Sequence, residues 1–201
     1  MKNSKINAKD LIISVSSKIF SRFGLFKTSI DQIARESHKS KSSIYYHFKN
    51  KDEIFKSVVE KEIKELQDEV KKSINNQDTI KGKLKAYIIS RMKYLRELDN
   101  IYAALTEEYL AHYDFIRYIR KIYYKNELKI IRNILESGIK KGIFVVADID
   151  STVLAIVISL KGFEYSSVLG NYTTKSEVTI DIFLDILFNG LNKKLKEKIS
   201  L

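Results

Sequence analysis

Apolar residues recur every three to four positions along most of this chain, which is the spacing of amphipathic helices. The first apolar stripe predicts a helix from about Ala8 to Phe23, with Gly24 at its end. Side chains that can cap a helix by accepting a hydrogen bond from an amide of its first turn predict where the next three helices begin. These capping residues are Ser29, Ser40 and Asn50. The third helix is expected to end near residue 48 and the fourth near residue 73.

The remaining apolar stripes predict five more helices. They cover approximately residues 79–98, 101–112, 114–140, 149–169 and 174–198. The turn between the seventh and eighth helices is marked by Gly138, Gly142 and Asp148, and Thr174 with Glu177 forms a capping box for the ninth. No segment has a convincing strand pattern. The predicted fold is therefore all-α with about nine helices, divided into a small domain at residues 1–51 and a helical bundle at residues 52–201, with helix four as the connection.

Composition narrows the possible classes of protein. Proline is absent, so nothing forces helix breaks and long helices are expected. Cysteine is also absent, which excludes a disulfide framework and a thiolate metal site, and we expect neither a metal nor a cofactor. The longest apolar stretch, Val153 to Leu160, is far shorter than the roughly 20 residues of a membrane span. Because Lys9, Asp10 and Lys18 interrupt any signal-like segment, a cytoplasmic protein is expected.

The net charge of +11 is distributed unevenly. Residues 1–51 contain eleven Lys and Arg against three acidic residues, a net charge of +8. Residues 52–201 contain twenty-five against twenty-two, a net charge of +3. A codon bias toward lysine should act along the whole chain, so the concentration of charge at one end indicates phosphate binding.

The third predicted helix has the side chains that suit a DNA groove. Ile44 and Phe48, four positions apart, are expected to form its buried face. The other positions are basic, hydroxyl or aromatic and are left for the surface: Lys41, Ser42, Ser43, Tyr45, Tyr46 and His47. A helix fits the major groove, where such groups can meet base edges and phosphates. The alternative for the aromatic residues is simple packing within the small domain.

The same segment resembles the TetR family of transcriptional regulators. The matching positions are Phe20 and Gly24, then Thr28, Ser29 and Ile30, then Ile33 and Ala34, then Tyr45, Phe48 and Lys51. The resemblance covers about the first sixty residues and departs from the family pattern at His38, Lys39 and Ser42. His38 lies in the turn, where histidine is among the residues that tolerate a positive φ. Ser42 is expected to alter base preference.

The resemblance implies a helix-turn-helix DNA-binding domain that contacts duplex DNA. The contacts carried over to this chain are Thr28, Ser40, Lys41, Ser42, Ser43, Tyr45, Tyr46, His47 and Lys51. Tyr45 and Lys51 are expected to meet phosphates, whereas Lys41, Ser42, Ser43 and Tyr46 are expected to meet base edges. It also implies a repressor that is released from a palindromic operator by a small molecule.

The helical bundle is predicted to dimerise and to bind that effector. One recognition helix reads few base pairs, so such proteins usually act as two-fold dimers. The predicted dimer interface lies on the last two helices: Val153, Ile156, Val157, Leu160, Phe183, Leu184, Leu187, Phe188 and Leu191. The predicted effector pocket is rich in tyrosine: Tyr87, Arg91, Tyr94, Tyr109, His112 and Tyr113. Burial within a single protomer is the alternative for both sets.

Three other functions can be compared with the sequence. A DNA-binding architectural or partner-binding protein, with a helical bundle that only dimerises, would need no effector. An enzyme is disfavoured because the chain has three scattered histidines, no glycine-rich phosphate loop and no HExxH motif. A membrane-surface role for the basic N-terminal region is disfavoured because its apolar face is needed for the small helical core.

Overall fold

The computed structural model describes residues 7–107, 110–166 and 176–190. Within these ranges the chain forms helices and turns without any strand, which confirms the predicted all-α class. The helices are α1 (Ala8–Lys27), α2 (Ile30–Glu36), α3 (Lys41–His47), α4 (Lys51–Asn75), α5 (Ile80–Glu97), α6 (Asp99–Thr106), α7 (Asp114–Lys140), α8 (Ile149–Ser166) and α9 (Ser176–Gly190). None of these helices has a long enough apolar stretch to cross a membrane.

The predicted caps of the early helices are confirmed. Ser29 Oγ accepts from the amide of Gln32 at 3.2 Å, which starts α2. Ser40 Oγ accepts from the amide of Ser43 at 3.2 Å, which starts α3. At α4, Asn50 Oδ1 accepts from the amide of Glu53 at 2.9 Å. Each cap satisfies an amide that has no partner inside its own helix.

Two helices differ from the predicted bounds. Helix α1 runs to Lys27 because the chain resumes helical turns after a kink at Gly24, where φ is 74°. Helix α6 was predicted over residues 101–112, but it begins at Asp99 and ends at Thr106. The chain turns afterwards, and the Arg117 guanidinium donates to the carbonyl oxygens of Ala111 and His112 at 3.2 and 3.0 Å. These carbonyl groups therefore have partners without continuing the helix.

The turn before α8 uses glycine and aspartate as predicted. Gly142 has a positive φ of 66°, a conformation that glycine adopts without strain. At Gly138 an added Cβ would lie 2.2 Å from the Phe144 ring, so only glycine fits there. Asp148 Oδ2 accepts from the amide of Ser151 at 2.9 Å and caps α8. The predicted end of α8 at residue 169, the capping residue Thr174 and the end of α9 at residue 198 lie outside the described residues.

Packing divides the chain into two compact units. The first contains the chain up to Gln67 together with Leu95–Arg117, and the second contains Asp68–Tyr94 and the chain from Tyr118 onward. The first half of α4 thus packs with α1 to α3, as the edge-to-face contact of Phe20 with Phe55 shows, with ring centroids 5.1 Å apart. This division differs from the predicted boundary between residues 51 and 52. That boundary concerned DNA binding and remains a prediction.

Candidate nucleic-acid interface

Helix α3 packs through one apolar face, and the rest of its surface is exposed or half-buried. Ile44 and Phe48 are buried, as their spacing predicts. Between them, the side chains of Tyr45 and Tyr46 are 55% and 84% exposed. Lys41 and Ser42 are exposed, and Ser43 and His47 are half-buried. A seven-residue helix with this division leaves a polar and aromatic face available to a partner.

The turn that places α3 after α2 depends on His38. Its φ is 51°, which confirms the conformational role predicted for this residue. The amides of His38 and Lys39 donate back to the carbonyl oxygens of Arg35 and Ala34 at 3.2 and 3.0 Å. The turn therefore closes on α2 by backbone hydrogen bonds, and α3 begins two residues later.

Three exposed side chains on α3 already have contacts within the chain. Ser40 Oγ and Ser42 Oγ share a hydrogen bond of 2.8 Å. Lys41 pairs with Asp31 on α2, and both side chains are exposed. Such an exposed ion pair contributes about 0–1 kcal/mol, so a phosphate can replace Asp31 at little cost. The Tyr46 ring packs edge-to-face on His47, with centroids 4.9 Å apart, which orients Tyr46 at the surface.

Thr28 and Lys51, both predicted DNA contacts, make hydrogen bonds within the chain. The Thr28 side chain is buried, and its hydroxyl donates to the carbonyl oxygen of Gly24 at 2.8 Å. This hydrogen bond lies at the end of α1, and the contact of Thr28 with the DNA backbone remains a prediction. Lys51 Nζ donates to the carbonyl oxygens of Thr28 and Phe26 at 2.8 and 3.2 Å. Lys51 therefore joins the start of α4 to the connection between α1 and α2, and a phosphate contact would compete with these bonds.

The predicted effector residues fall into different environments. In the second unit Tyr87 and Arg91 are buried, and Arg91 Nε donates to Glu127. Tyr94 is half-buried beneath Lys93, whose Nζ lies 5.3 Å from the ring centroid. His112 and Tyr113 belong to the first unit, where both rings contact Phe26. The structure does not gather all of these residues into one site within a unit, and Tyr109 lies outside the described residues.

The centre of this buried group is Glu127, which sequence reasoning did not select. Tyr87 Oη donates to Glu127 Oε1 at 3.3 Å, and the Arg91 guanidinium lies 5.8 Å from the Tyr123 ring centroid. Burial and then the charge of Glu127 raise the pKa of Tyr87 well above its ordinary value, so this phenol is neutral and a donor. Glu127 Oε2 is buried and accepts no hydrogen bond from the described residues.

The predicted dimer residues mostly face the interior of the protomer. The buried members are Val153, Ile156, Val157, Leu160 and Leu184, and the half-buried members are Phe183, Leu187 and Phe188. Leu191 lies outside the described residues. The apolar side chains that α8 and α9 expose are instead Leu154, Ile158, Ile182 and Ile186. The two helices pack together at Phe163 and Phe183, whose ring centroids are 5.3 Å apart.

The first three helices, the turn at His38 and the exposed face of α3 define a helix-turn-helix protein. Residues 12–58 match the family model described as bacterial regulatory proteins, tetR family. The transcriptional regulator QacR of Staphylococcus aureus is 30% identical over 110 residues, which is 54% of this chain and 57% of QacR. The similarity to the TetR family therefore includes the whole helix-turn-helix segment of this chain. The match spans little more than half the length of QacR.

Solved structures show the same fold over nearly the whole chain. A TetR-family regulator from Cytophaga hutchinsonii superposes with a TM-score of 0.78 at 18% identity, covering 96% of this chain and 99% of that one. FadR from Bacillus subtilis, solved in complex with stearoyl-CoA, superposes with a TM-score of 0.72 at 21% identity. That match covers 90% of this chain and 98% of FadR.

Proposed function

We propose that this protein is a cytoplasmic repressor that binds a palindromic operator as a homodimer and is released by a small-molecule effector. The observation that carries the proposal is the face of α3, where buried Ile44 and Phe48 leave the two tyrosines and the polar residues exposed. That face lies within the segment that matches the TetR family model. The basic charge of residues 1–51 supports an anionic partner.

In this proposal α3 lies in the major groove. Lys41, Ser42, Ser43 and Tyr46 meet base edges, and each of these polar side chains is exposed or half-buried. Tyr45 meets a phosphate, and the amides at the start of α4 add donors for a second one. Lys51 contributes to that second contact only when its Nζ leaves the carbonyl oxygen of Phe26 or Thr28.

The dimer is proposed to form when the outer faces of α8 and α9 pack against a second copy of this chain. Four aliphatic side chains are exposed there, including Ile158 at 57% and Ile186 at 65%. Their exposure in a monomer is unfavourable, at roughly 25 cal/mol for each Å² of apolar area left in water. An isologous contact would bury them and place two recognition helices on the half-sites of a palindrome.

The effector is proposed to bind in the second unit near Tyr87, Arg91 and Glu127. A buried ion pair is costly to form and is often retained for function. Glu127 Oε2 lacks a donor among the described residues, so a ligand that donates a hydrogen bond there would be favoured. The stearoyl-CoA complex of FadR supports the general idea of an effector, although it does not identify the one for this chain.

Selection of genomic duplex fragments with the purified protein tests the proposal. We expect enrichment of one palindrome at physiological salt. On that duplex, Tyr46→Ala should weaken binding by about tenfold without a change in thermal unfolding, because the side chain is largely exposed. Lys51→Ala should reduce the slope of log affinity against log salt by about one. Lys64→Ala, which removes an exposed charge elsewhere on α4, is the control and should leave sequence preference unchanged.

The absence of selective enrichment over bulk duplex would overturn the proposal. Enrichment that no small molecule reverses, together with a solid core around Glu127, would instead support the architectural alternative. A sedimentation measurement of Ile186→Glu, with Asp185→Glu as the neighbouring exposed control, tests the dimer surface separately.

A further inference from the structure

A buried carboxylate connects three helices of the first unit. Glu62 on α4 is 5% exposed. Its Oε1 accepts from Ser17 Oγ at 3.0 Å and from Asn100 Nδ2 at 2.6 Å, and its Oε2 accepts from the amide of Ile101 at 2.8 Å. Asn100 Nδ2 also lies 3.1 Å from the carbonyl oxygen of Ser17 and donates to it. Ser17, Glu62, Asn100 and the Ile101 amide are called the Glu62 network below.

The network supplies a cap that α6 lacks in its own sequence. The residue before α6 is Leu98, which makes no side-chain hydrogen bond to the helix. A helix of eight residues is marginal by itself, and its first amides need acceptors. Glu62 accepts from the third residue of α6, which is the bond that a capping side chain normally makes. Its negative charge also lies at the positive end of the helix dipole.

The order of the helices along the chain bears on the role of Glu62. Glu62 is on the helix that begins at Lys51, directly after the proposed recognition helix. Helix α6 follows α5 with only Leu98 between them, and α5 contains Tyr87 and Arg91. A shift at the end of α5 would reach the first turn of α6 through the backbone of a single residue. That turn is bonded through Glu62 to α4 and through Asn100 to α1.

We propose that Glu62 is a positioning residue for operator binding, and that the Glu62 network is formed when the DNA-binding helices are in their operator-competent arrangement. Release by an effector requires the first turn of α6 to leave Glu62. The inference rests on the proposed function, because it concerns binding to an operator. It follows that operator binding and protection of the Ile101 amide stabilise each other reciprocally.

The test uses the full chain and the palindromic duplex recovered by selection. Glu62→Gln retains the size of the side chain but replaces one acceptor oxygen by an amide group that must face a donor, either Asn100 or Ile101. Glu65→Gln is the matched control, because it removes the same charge three residues later from an exposed position paired with Lys61. Thermal unfolding of both variants identifies the temperature range in which each is folded.

In the wild type and in Glu65→Gln, operator DNA should slow hydrogen exchange of the Ile101 amide by about tenfold or more. In Glu62→Gln this slowing should be absent, and operator affinity should fall about tenfold relative to Glu65→Gln. A tenfold change corresponds to about 1.4 kcal/mol, which is close to the lower end of the loss expected for a hydrogen bond to a charged group. Ser17→Ala removes one donor and should give a smaller change in the same direction.

Equal operator affinity for Glu62→Gln and Glu65→Gln, with unchanged exchange at Ile101, would overturn the inference while leaving the proposed function intact. Faster exchange at Ile101 on operator binding would also overturn it, because the network would then belong to the released arrangement. Failure of the wild type to select any duplex is a different result, since it contradicts the proposed function itself.

Discussion

The two compact units each contain a buried glutamate on a long helix, and the two carboxylates are satisfied in different ways. Glu62 in the first unit accepts hydrogen bonds from neutral donors on α1 and α6. Glu127 in the second unit pairs with the buried Arg91 and accepts from the neutral phenol of Tyr87. Both carboxylates accept hydrogen bonds, and Glu127 also has a buried partner of opposite charge.

This difference separates a structural contact from a candidate binding site. Both oxygens of Glu62 have partners, so the network gains nothing from a further ligand. Glu127 has a second oxygen without a donor among the described residues. Formation of its ion pair requires two charges to be removed from water, which is unfavourable. Such a pair contributes little net stability, yet a ligand can donate a hydrogen bond to the second oxygen of Glu127.

The largest expected effect concerns the removal of one partner of the ion pair. Glu127→Ala removes the carboxylate that pairs with the Arg91 guanidinium, which is 2% exposed. We expect a loss of about 3–5 kcal/mol in the free energy of unfolding, measured by denaturant titration. A loss below about 1 kcal/mol would show that Arg91 reaches water or another acceptor when Glu127 is removed.

The matched control replaces both charges at once. In Arg91→Met with Glu127→Leu, neither charge of this ion pair remains and the volume is similar. Its stability should equal or exceed that of the wild type, because well-packed apolar residues often replace a buried ion pair without loss. The control should also lose any response to the effector, which separates the stabilising role of the pair from its proposed binding role.

The next largest effect is expected in the other network. Asn100→Ala removes the donor that serves both Glu62 and the carbonyl oxygen of Ser17. Because hydrogen bonds to charged groups contribute about 1.5–3 kcal/mol, we expect a loss of about 2 kcal/mol in denaturant unfolding. Asn133→Ala on an exposed position of α7 is the control and should change stability by less than about 0.5 kcal/mol. Equal losses of stability in the two variants would show that Asn100 contributes no more than an exposed asparagine.

The sequence predicted the helices well wherever a local signal was present. The caps at Ser29, Ser40 and Asn50 each act within three residues, so the sequence contains all the information needed. Apolar spacing predicted α6 to residue 112, whereas the helix ends at Thr106, and no glycine or proline near that position marks the end.

The buried glutamates had a readable signal that was not used. Glu62 lies four positions from Val58 and from Leu66, and Glu127 lies four positions from Tyr123 and from Ile131. An acid in an apolar stripe indicates a buried charge. Its partners could not be predicted, since Ser17 and Asn100 lie 45 and 38 positions away from Glu62 and are brought to it by tertiary packing.

A smaller effect is expected on the stability of the second unit at alkaline pH. Burial and then the carboxylate of Glu127 raise the pKa of Tyr87 in the folded protein above the value of 10.0 that holds when unfolded. The stability that comes from this pKa difference is fully present below pH 10.0. It is lost as pH rises through the folded pKa, because the phenol ionises at a lower pH in the unfolded state than in the folded state. Tyr87→Phe should abolish this alkaline loss while costing about 1 kcal/mol at neutral pH for its hydrogen bond. An unchanged alkaline unfolding profile would contradict the buried, neutral phenol.

The smallest effect is expected for a third carboxylate, which also caps a helix but lies at an exposed position. Asp148 caps α8 as Glu62 caps α6, but it is exposed. Hydrogen bonds from the Ser151 side chain and amide lower its pKa below 3.8 in the folded protein, so its contribution is present above pH 3.8 and is lost as pH falls through the folded pKa. Asp148→Asn keeps a capping acceptor and should lower the melting temperature less than Asp148→Ala. A carboxyl NMR titration midpoint at or above 3.8 would show that exposure cancels the effect of the cap, and burial would then be what gives Glu62 its importance.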